Sequence, residues 1–407
     1  MQTKAMGKGI RARGRNAVTL GLERLLGEEF ALLRGRRVGL VCHPASVDHE
    51  FQHAADLLLR RQECELAALF GPQHGARGDV QDNMVETPHA IDAASGLPVY
   101  SLYSETRQPT AEMLRGVDVL VFDMQDVGCR IYTFIYTLAN CMRAAQAHGC
   151  RVVVCDRPNP INGVQVAGNV LQIGHESFVG QFPLPTRHGM TIGELALMFK
   201  HHFGINCDLE VVRMSNWSRA LWHDETDVPW VMPSPNMPTL ETATVFPGTV
   251  HLEGTRMSEG RGTTRPFELV GAPYIAAANY AERLNALKLP GVHFRACYFV
   301  PTFQKHANCV CGGVQLHVYD RQAFEPVTVG LAVVKVARDL YPDDFLWKEA
   351  PYEYEYERNP FDVIAGTTQL RESLERGDGS SVAQISDAWQ AGLEDFRELR
   401  KEYLLYA

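Results

Sequence analysis

The stretch from Val119 to Arg130, VLVFDMQDVGCR, constrains the fold of this chain more than any other. An unbroken apolar run gives way abruptly to Asp123, Gln125, Asp126 and Arg130. Apolar residues in a row, without polar alternation, read as a strand covered on both faces, as in a parallel sheet packed between helices. Three further runs follow the same plan and end in polar, Pro-rich or Gly-rich loops: RVGLVCHPASVD from Arg37, ELAALFGPQHGARGD from Glu65 and RVVVCDRPNPINGV from Arg151. Between the Val119 and Arg151 runs, Ile131, Ile135, Leu138, Met142 and Ala145 recur at near-helical spacing, and Gly149 supplies a stop. This strand-helix-strand unit should cross over right-handed. Parallel strands present their C-terminal loops at one sheet edge, where ligands bind, so His43, the GPQHG loop, Asp123 and Asp156 are expected to converge there.

Downstream, Thr191 to Phe203 reads as a helix, with Thr191 as its candidate N-cap, and Leu209 to Met214 as a strand. From Trp230 to Pro273 the chain is rich in Pro, Gly and Thr with little periodicity, which marks either a linker or a site. A second unit follows, with a helix near Tyr274 to Leu287, strands at Val292 to Val300 and Gly313 to Tyr319, and helices near Val327 to Leu340 and Val382 to Tyr406. Alternation of Val314, Leu316 and Val318 with Gln315, His317 and Tyr319 suits a sheet with one wetter face. The expected fold class is α/β: a basic disordered tail over residues 1–18, a Rossmann-like parallel-sheet domain over 19–265, and a smaller α+β C-terminal domain over 266–407.

A chain of 407 residues with 45% hydrophobic and 21% charged residues is an ordinary globular protein long enough for two domains. Its net charge of -9 argues against nonspecific nucleic-acid binding, which needs Lys and Arg to neutralise phosphates. No run approaches the roughly 20 apolar residues that span a bilayer. The N-terminal MQTKAMGKGIRARGRNAV lacks the apolar core of a secretory signal. Cys42, Cys141 and Cys155, out of 10 cysteines, sit in apolar segments and read as free thiols of a reducing compartment. A cytoplasmic protein is expected, with its oligomeric state open.

The loops at the predicted sheet edge offer Gln73, His74, Arg77, Asp79, Asp82 and Glu86 in one cluster and Asp123, Asp126, Arg130 and Tyr132 in another. Asp156 lies in DRPNP, Arg187 and His188 in TRHGMT, and Glu253, Glu259 and Arg261 in HLEGTRMSEGRGTTRPF. Carboxylates beside arginine and tyrosine suit general acid and base work on a polar substrate, where burial or like-charge crowding raises one carboxyl towards working pH. Asp and Asn in loops also shape turns, so DRPNPING is as well explained by structure as by function. An acid directly after a buried strand must be paired or solvated, which makes Asp123 and Asp126 the stronger candidates. Nucleotide-binding, serine-hydrolase and zincin motifs are absent from the sequence. Cys309 and Cys311 with His306 lack the second ligand pair of a structural zinc site. Neither a cofactor nor a metal is called for.

FGPQHGARGD, FDMQDVGCRIYTF, CDRPNPINGV, PTRHGMTIGEL, PSPNMPT, FPGTVHLEGT, SEGRGTTRPFE and the closing WQAGLEDFRELRKEYLLY together resemble one family, in order and over nearly the whole chain from about Gly21. It is the family of NamZ-type exo-β-N-acetylmuramidases, also known as domain of unknown function 1343 and glycoside hydrolase family 171. The resemblance implies a Rossmann-like domain, a smaller C-terminal domain and a cleft between them. It also implies hydrolytic release of N-acetylmuramic acid from the non-reducing end of peptidoglycan-derived glycans, as in cell-wall recycling. Arg77, Arg130, Arg187 and Arg261 then become partners for the sugar's lactyl carboxylate, which guanidinium binds in bidentate fashion. One departure stands out: the family usually reads PEHG where this chain has Pro72, Gln73, His74 and Gly75. Glutamine cannot donate and recover a proton, so the acid is expected elsewhere, at Asp123 or Glu253 or among Asp79, Asp82 and Glu86. In this reading Asp126, Arg130 and His188 position the sugar, and His74, Tyr132, Asp156 and Glu259 complete the binding set. The alternatives are an amino-sugar binding protein without hydrolysis, or a hydrolase of a different sugar conjugate.

Overall fold

The computed structural model describes residues 17–376 and 381–407, so most of the expected N-terminal tail lies outside the described residues. A seven-stranded sheet dominates the first half, built from β1 (Arg37–Cys42), β2 (Glu65–Gly71), β3 (Ala90–Ile91), β4 (Pro98–Ser101), β5 (Val119–Asp123), β6 (Arg151–Cys155) and β9 (Asp208–Val212). Its order is β3-β4-β2-β1-β5-β6-β9, and every pairing is parallel except that of the edge strand β3.

The apolar runs occupy the middle of this sheet for a simple reason. Successive strand side chains point to opposite faces, and both faces are covered. Leu120 and Phe122 of β5, with Val152 and Val154 of β6, join the core on one face. Val121 and Val153 join the other, together with Leu22, Leu25 and Leu58 from short helices packed there. On the first face lies the helix Phe134–His148, which ends at Gly149 in the left-handed conformation that a glycine C-cap favours. Beside it the helix Ile192–His201 starts in a capping box, with the Thr191 side chain accepting from Glu194 N and the Glu194 side chain from Thr191 N. A two-stranded ribbon, β7 (Ala167–Val170) with β8 (Pro185–Arg187), interrupts the alternation of strand and helix.

The second half contains a three-stranded antiparallel sheet, β10 (Leu269–Ala272), β12 (Cys311–Val318) and β11 (Val292–Phe299), in the order β10-β12-β11. Val314 and Leu316 are buried while His317 is exposed, so the expected wet face is present. Helices Ala277–Ala286 and Pro326–Leu340 pack in the same core, which runs continuously from the first half. Two expectations are corrected. The stretch from Trp230 to Pro273 is not all loop, since it contains the helix Leu240–Thr249 with Pro247 inside it. The helix expected over 382–406 is broken into Val382–Asp387 and Gln390–Arg400 with a final turn. The Leu240–Thr249 helix is held by the Pro326–Leu340 helix at very close range: a Cβ on Gly248 would lie 1.9 Å from the Pro326 carbonyl oxygen. Only two facing glycines, Gly248 and Gly330, let these backbones meet.

Candidate active site

The C-terminal ends of β1, β2, β5 and β6 share one edge, as parallel pairing requires. A cleft opens over the β2 and β5 part of it, roofed by the second half of the chain. It encloses about 480 Å³ of empty space, part of it open to solvent. Gln73 and His74 follow β2, while Tyr132 and Thr133 lie between β5 and the helix that Phe134 begins. Glu253 comes from the turn after the Leu240–Thr249 helix, Arg261 from the glycine-rich loop before β10, and Tyr352 and Glu353 from an irregular stretch before the helix Pro360–Ala365. Three non-glycine residues here, His74, Glu353 and Tyr354, have φ of 71°, 46° and 66°. Left-handed backbone of this kind costs of order 1 kcal/mol or more per residue, so surrounding contacts must hold it.

Two buried glutamates face this space in opposite electrostatic settings. Glu253 accepts from Arg261 Nη2 at 2.7 Å, the Tyr352 hydroxyl at 2.7 Å and Asn83 Nδ2 at 3.3 Å. Burial acts to raise its pKa, but the Arg261 guanidinium and these hydrogen bonds outweigh burial and hold the carboxyl below its ordinary value. Among the described residues no cation is bonded to Glu353. It accepts from the Tyr103 hydroxyl at 2.7 Å and from Gln73 Nε2 at 3.0 Å, and Gln73 Oε1 in turn accepts from Thr133 Oγ1 at 2.8 Å. Burial, reinforced by the charge of Glu253, pushes the Glu353 carboxyl up to about 7. One carboxylate is therefore kept ionised while the other is poised to carry a proton near neutrality, the division of labour that acid-base pairs need.

The remaining cleft groups support this pair. Lys305 Nζ donates to Glu259 at 2.7 Å, and Arg261 Nε lies 3.4 Å from Glu259, so Glu259 anchors the arginine from outside the cleft. Arg261 Nη1 has no hydrogen-bond acceptor among the described residues. His74 donates through Nδ1 to the Val80 carbonyl, 2.7 Å away, and burial lowers its pKa to about 4, leaving a neutral imidazole. The 80–86 loop crosses the cleft mouth, where Asn83 reaches Glu253 and Gln304 holds both Asp82 and Asn83.

Of the site residues expected from sequence, the cleft gathers Gln73, His74, Tyr132, Glu253 and Arg261. Asp123 lies outside the cleft and is locked by Arg157, with Nε to Oδ1 at 2.6 Å and Nη2 to Oδ2 at 2.8 Å. An acid after a buried strand had to be paired, and a neighbouring arginine pairs it. Asp126 accepts from Gly128 N at 2.7 Å and lies 3.3 Å from His188 Nε2; both side chains are buried off the cleft. Asp156 accepts from Thr191 Oγ1, Gly193 N and the Tyr406 hydroxyl, which ties the helix start and the chain end to β6. Arg130 is fully buried and donates to the Ile364 and Ala365 carbonyls at a helix end. Arg187 donates to the Ile161 carbonyl and stacks over Trp222, while Arg77 is exposed and pairs with Asp79. Of the four arginines expected to meet a substrate carboxylate, the fold thus brings one, Arg261, to the cleft. Sequence reasoning missed Glu353, with Tyr352, Tyr103 and Asn83. Its available signal was PYEYEYE from Pro351, where carboxylates alternate with tyrosines.

Among the described residues no group of three or more His, Cys, Asp or Glu side chains is arranged to hold a metal ion. Two family models cover the chain: exo-β-N-acetylmuramidase NamZ, N-terminal, over residues 38–241, and its C-terminal counterpart over 244–406. The chain is 47% identical over 389 residues to the peptidoglycan β-N-acetylmuramidase NamZ of Bacillus subtilis, which covers 96% of this chain and 91% of that one. Two solved structures of DUF1343 family proteins from Bacteroides fragilis are also similar. One superposes with a TM-score of 0.87 at 36% identity, covering 97% of this chain and 100% of that one. The other has a TM-score of 0.76 at 28% identity, covering 96% and 99%. With both halves matched and a relative this similar over nearly its full length, the chain belongs to the NamZ exo-β-N-acetylmuramidase family.

Proposed function

We propose that the cleft is a glycoside hydrolase site that releases N-acetylmuramic acid from the non-reducing end of peptidoglycan-derived glycans. The observation that carries this reading is Glu253, a buried carboxylate held ionised by Arg261 and Tyr352 in a small cleft whose family is that of exo-β-N-acetylmuramidases. Cleavage of a glycosidic bond passes through an oxocarbenium-like transition state. A fixed negative charge in a water-poor site stabilises that developing positive charge without reorganising. The free Nη1 of Arg261 is a ready donor for a substrate oxygen such as the lactyl carboxylate. All ten cysteines are free thiols, which supports a reducing compartment and small glycan fragments as substrate.

A second reading is favoured by one residue. Gln73 stands in the cleft as an amide, and if neither Glu253 nor Glu353 supplied the proton the site would bind sugar without cleaving it. Wild-type protein assayed on a chromogenic β-N-acetylmuraminide and on the matching N-acetylglucosaminide separates the two. Turnover of the muraminide, with little on the glucosaminide, is the expected result. Calorimetric binding of N-acetylmuramic acid with no turnover of either would establish the binding protein instead.

A further inference from the structure

We propose that Glu353 is the proton donor of this cleft, held in place by Tyr103 and Gln73. The inference rests on the hydrolase reading above and adds to it the group that performs the proton transfer. Glu353 lines the same cavity as Glu253 and is 3% exposed. Its two carboxyl oxygens accept from different neutral donors, Tyr103 at 2.7 Å on one and Gln73 at 3.0 Å on the other. Tyr103 is itself fixed by Met84 N at 3.1 Å, and Gln73 by Thr133. The carboxyl is thus oriented from both sides, and among the described residues no cation is bonded to it that would hold it ionised. The charged and titratable groups that bear on it are Tyr103, Glu253 and Arg261 across the cleft and Tyr352 and Tyr354 beside it in the chain. The left-handed backbone at Glu353 and Tyr354 is a local cost that these contacts offset, and such strain clusters where a side chain must be aimed.

In the reaction, the protonated Glu353 carboxyl gives its proton to the glycosidic oxygen as the bond from that oxygen to C1 breaks. The leaving sugar departs as a neutral alcohol with the bonding electron pair, and Glu353 is left as a carboxylate. A water oxygen then bonds to C1 and its proton passes to the carboxylates of the cleft. This restores the Glu353 acid with one water consumed. On this assignment Gln73 is a positioning residue, and an amide there is an asset. It donates to the acid and adds no competing charge. A carboxylate at the same place would share its proton with Glu353 and, as a like charge about 3 Å away, would resist ionisation of the pair.

Two variants of the full chain test this, each first checked for wild-type thermal unfolding. The substrates are a 4-nitrophenyl β-N-acetylmuraminide, whose leaving group needs little protonation, and the disaccharide N-acetylmuramyl-β-1,4-N-acetylglucosamine, whose leaving group needs it fully. Glu353→Gln is expected to lose roughly 10²- to 10⁴-fold in kcat/KM on the disaccharide but less than about tenfold on the aryl glycoside. Gln73→Glu is expected to move the alkaline limb of the kcat/KM pH profile upward by about 1 in pH or more. Equal losses on both substrates in Glu353→Gln, or full activity on the disaccharide, would overturn the assignment. So would an unmoved alkaline limb in Gln73→Glu, which keeps the test open if Glu353→Gln fails to fold. A wild type inert on both substrates would overturn the hydrolase reading and this inference with it, whereas an active wild type with those variant results overturns the inference alone.

Discussion

Replacing Asp123 by asparagine separates a structural carboxylate from a chemical one. The Arg157–Asp123 pair is almost wholly dry, with side chains 2% and 0% exposed, so solvent screening does little to reduce the interaction. Both guanidinium contacts are short, at 2.6 and 2.8 Å. With charge centres about 4 Å apart and an effective dielectric near 20, the attraction lost is about 4 kcal/mol. Arg157 keeps its bond to the Val47 carbonyl, but its charge stays buried without an anion. Truncating one member of a buried pair commonly costs about 3–5 kcal/mol, and the two figures agree. Urea unfolding followed by fluorescence should show a midpoint lowered accordingly, and the double variant Asp123→Asn/Arg157→Met should recover much of the loss by removing the stranded charge. Because Asp123 lies outside the cleft, the folded fraction of Asp123→Asn should keep kcat on a muraminide within about threefold of wild type. An unchanged urea midpoint combined with a hundredfold fall in kcat would refute this reasoning and return Asp123 to the chemistry.

Two other outcomes follow from the same geometry. Glu353 and Asp156 are both pushed up to about 7 by burial, from ordinary values of 4.5 and 3.8. Folding therefore retains protons that the unfolded chain has already released, so the stability they contribute is complete below about pH 4 and is lost as pH rises to about 7. Each group accounts for roughly 3–4 kcal/mol over that window, and thermal melts from pH 4.5 to 7.5 should show Glu353→Gln with a visibly flatter decline than wild type; parallel curves would contradict it. Gly248→Ala places a methyl against the Pro326 carbonyl and should destabilise by about 3 kcal/mol or more, or abolish soluble expression; a melting temperature within about 2 °C of wild type would show that the two helices can part without cost.

The central sheet was legible because its signal is local. Runs such as VLVF and RVVVC are buried on both faces whatever packs on them, and Gly149 and Thr191 mark helix ends through backbone and capping preferences that act within a few residues. The helix Leu240–Thr249 was not legible: ETATVFPGT is poor in helix formers and contains Pro247, and the helix persists because Gly248 lies directly against Pro326 and Gly330. Part of the site followed the same division. Gln73, His74 and Tyr132 sit just past apolar runs, where sheet topology must bring loops together, and Glu253 and Arg261 share one glycine-rich stretch. Glu353 gave no comparable cue, since its partners Tyr103 and Gln73 lie 250 and 280 residues away in the chain.

What this sequence determined alone is the class of architecture, its family, and the edge of the sheet at which polar groups gather, because burial patterns and motif order are properties of the chain itself. Which of those polar groups face the cleft was decided only by tertiary structure. Asp123 and Asp126 look as catalytic in sequence as Glu253 does, and each acquires buried structural partners when the chain closes, as does Asp156, expected to bind substrate. The physical reason is that a carboxyl group's role depends on its surroundings: an arginine holds Glu253 ionised, whereas neutral donors and burial leave Glu353 able to keep its proton.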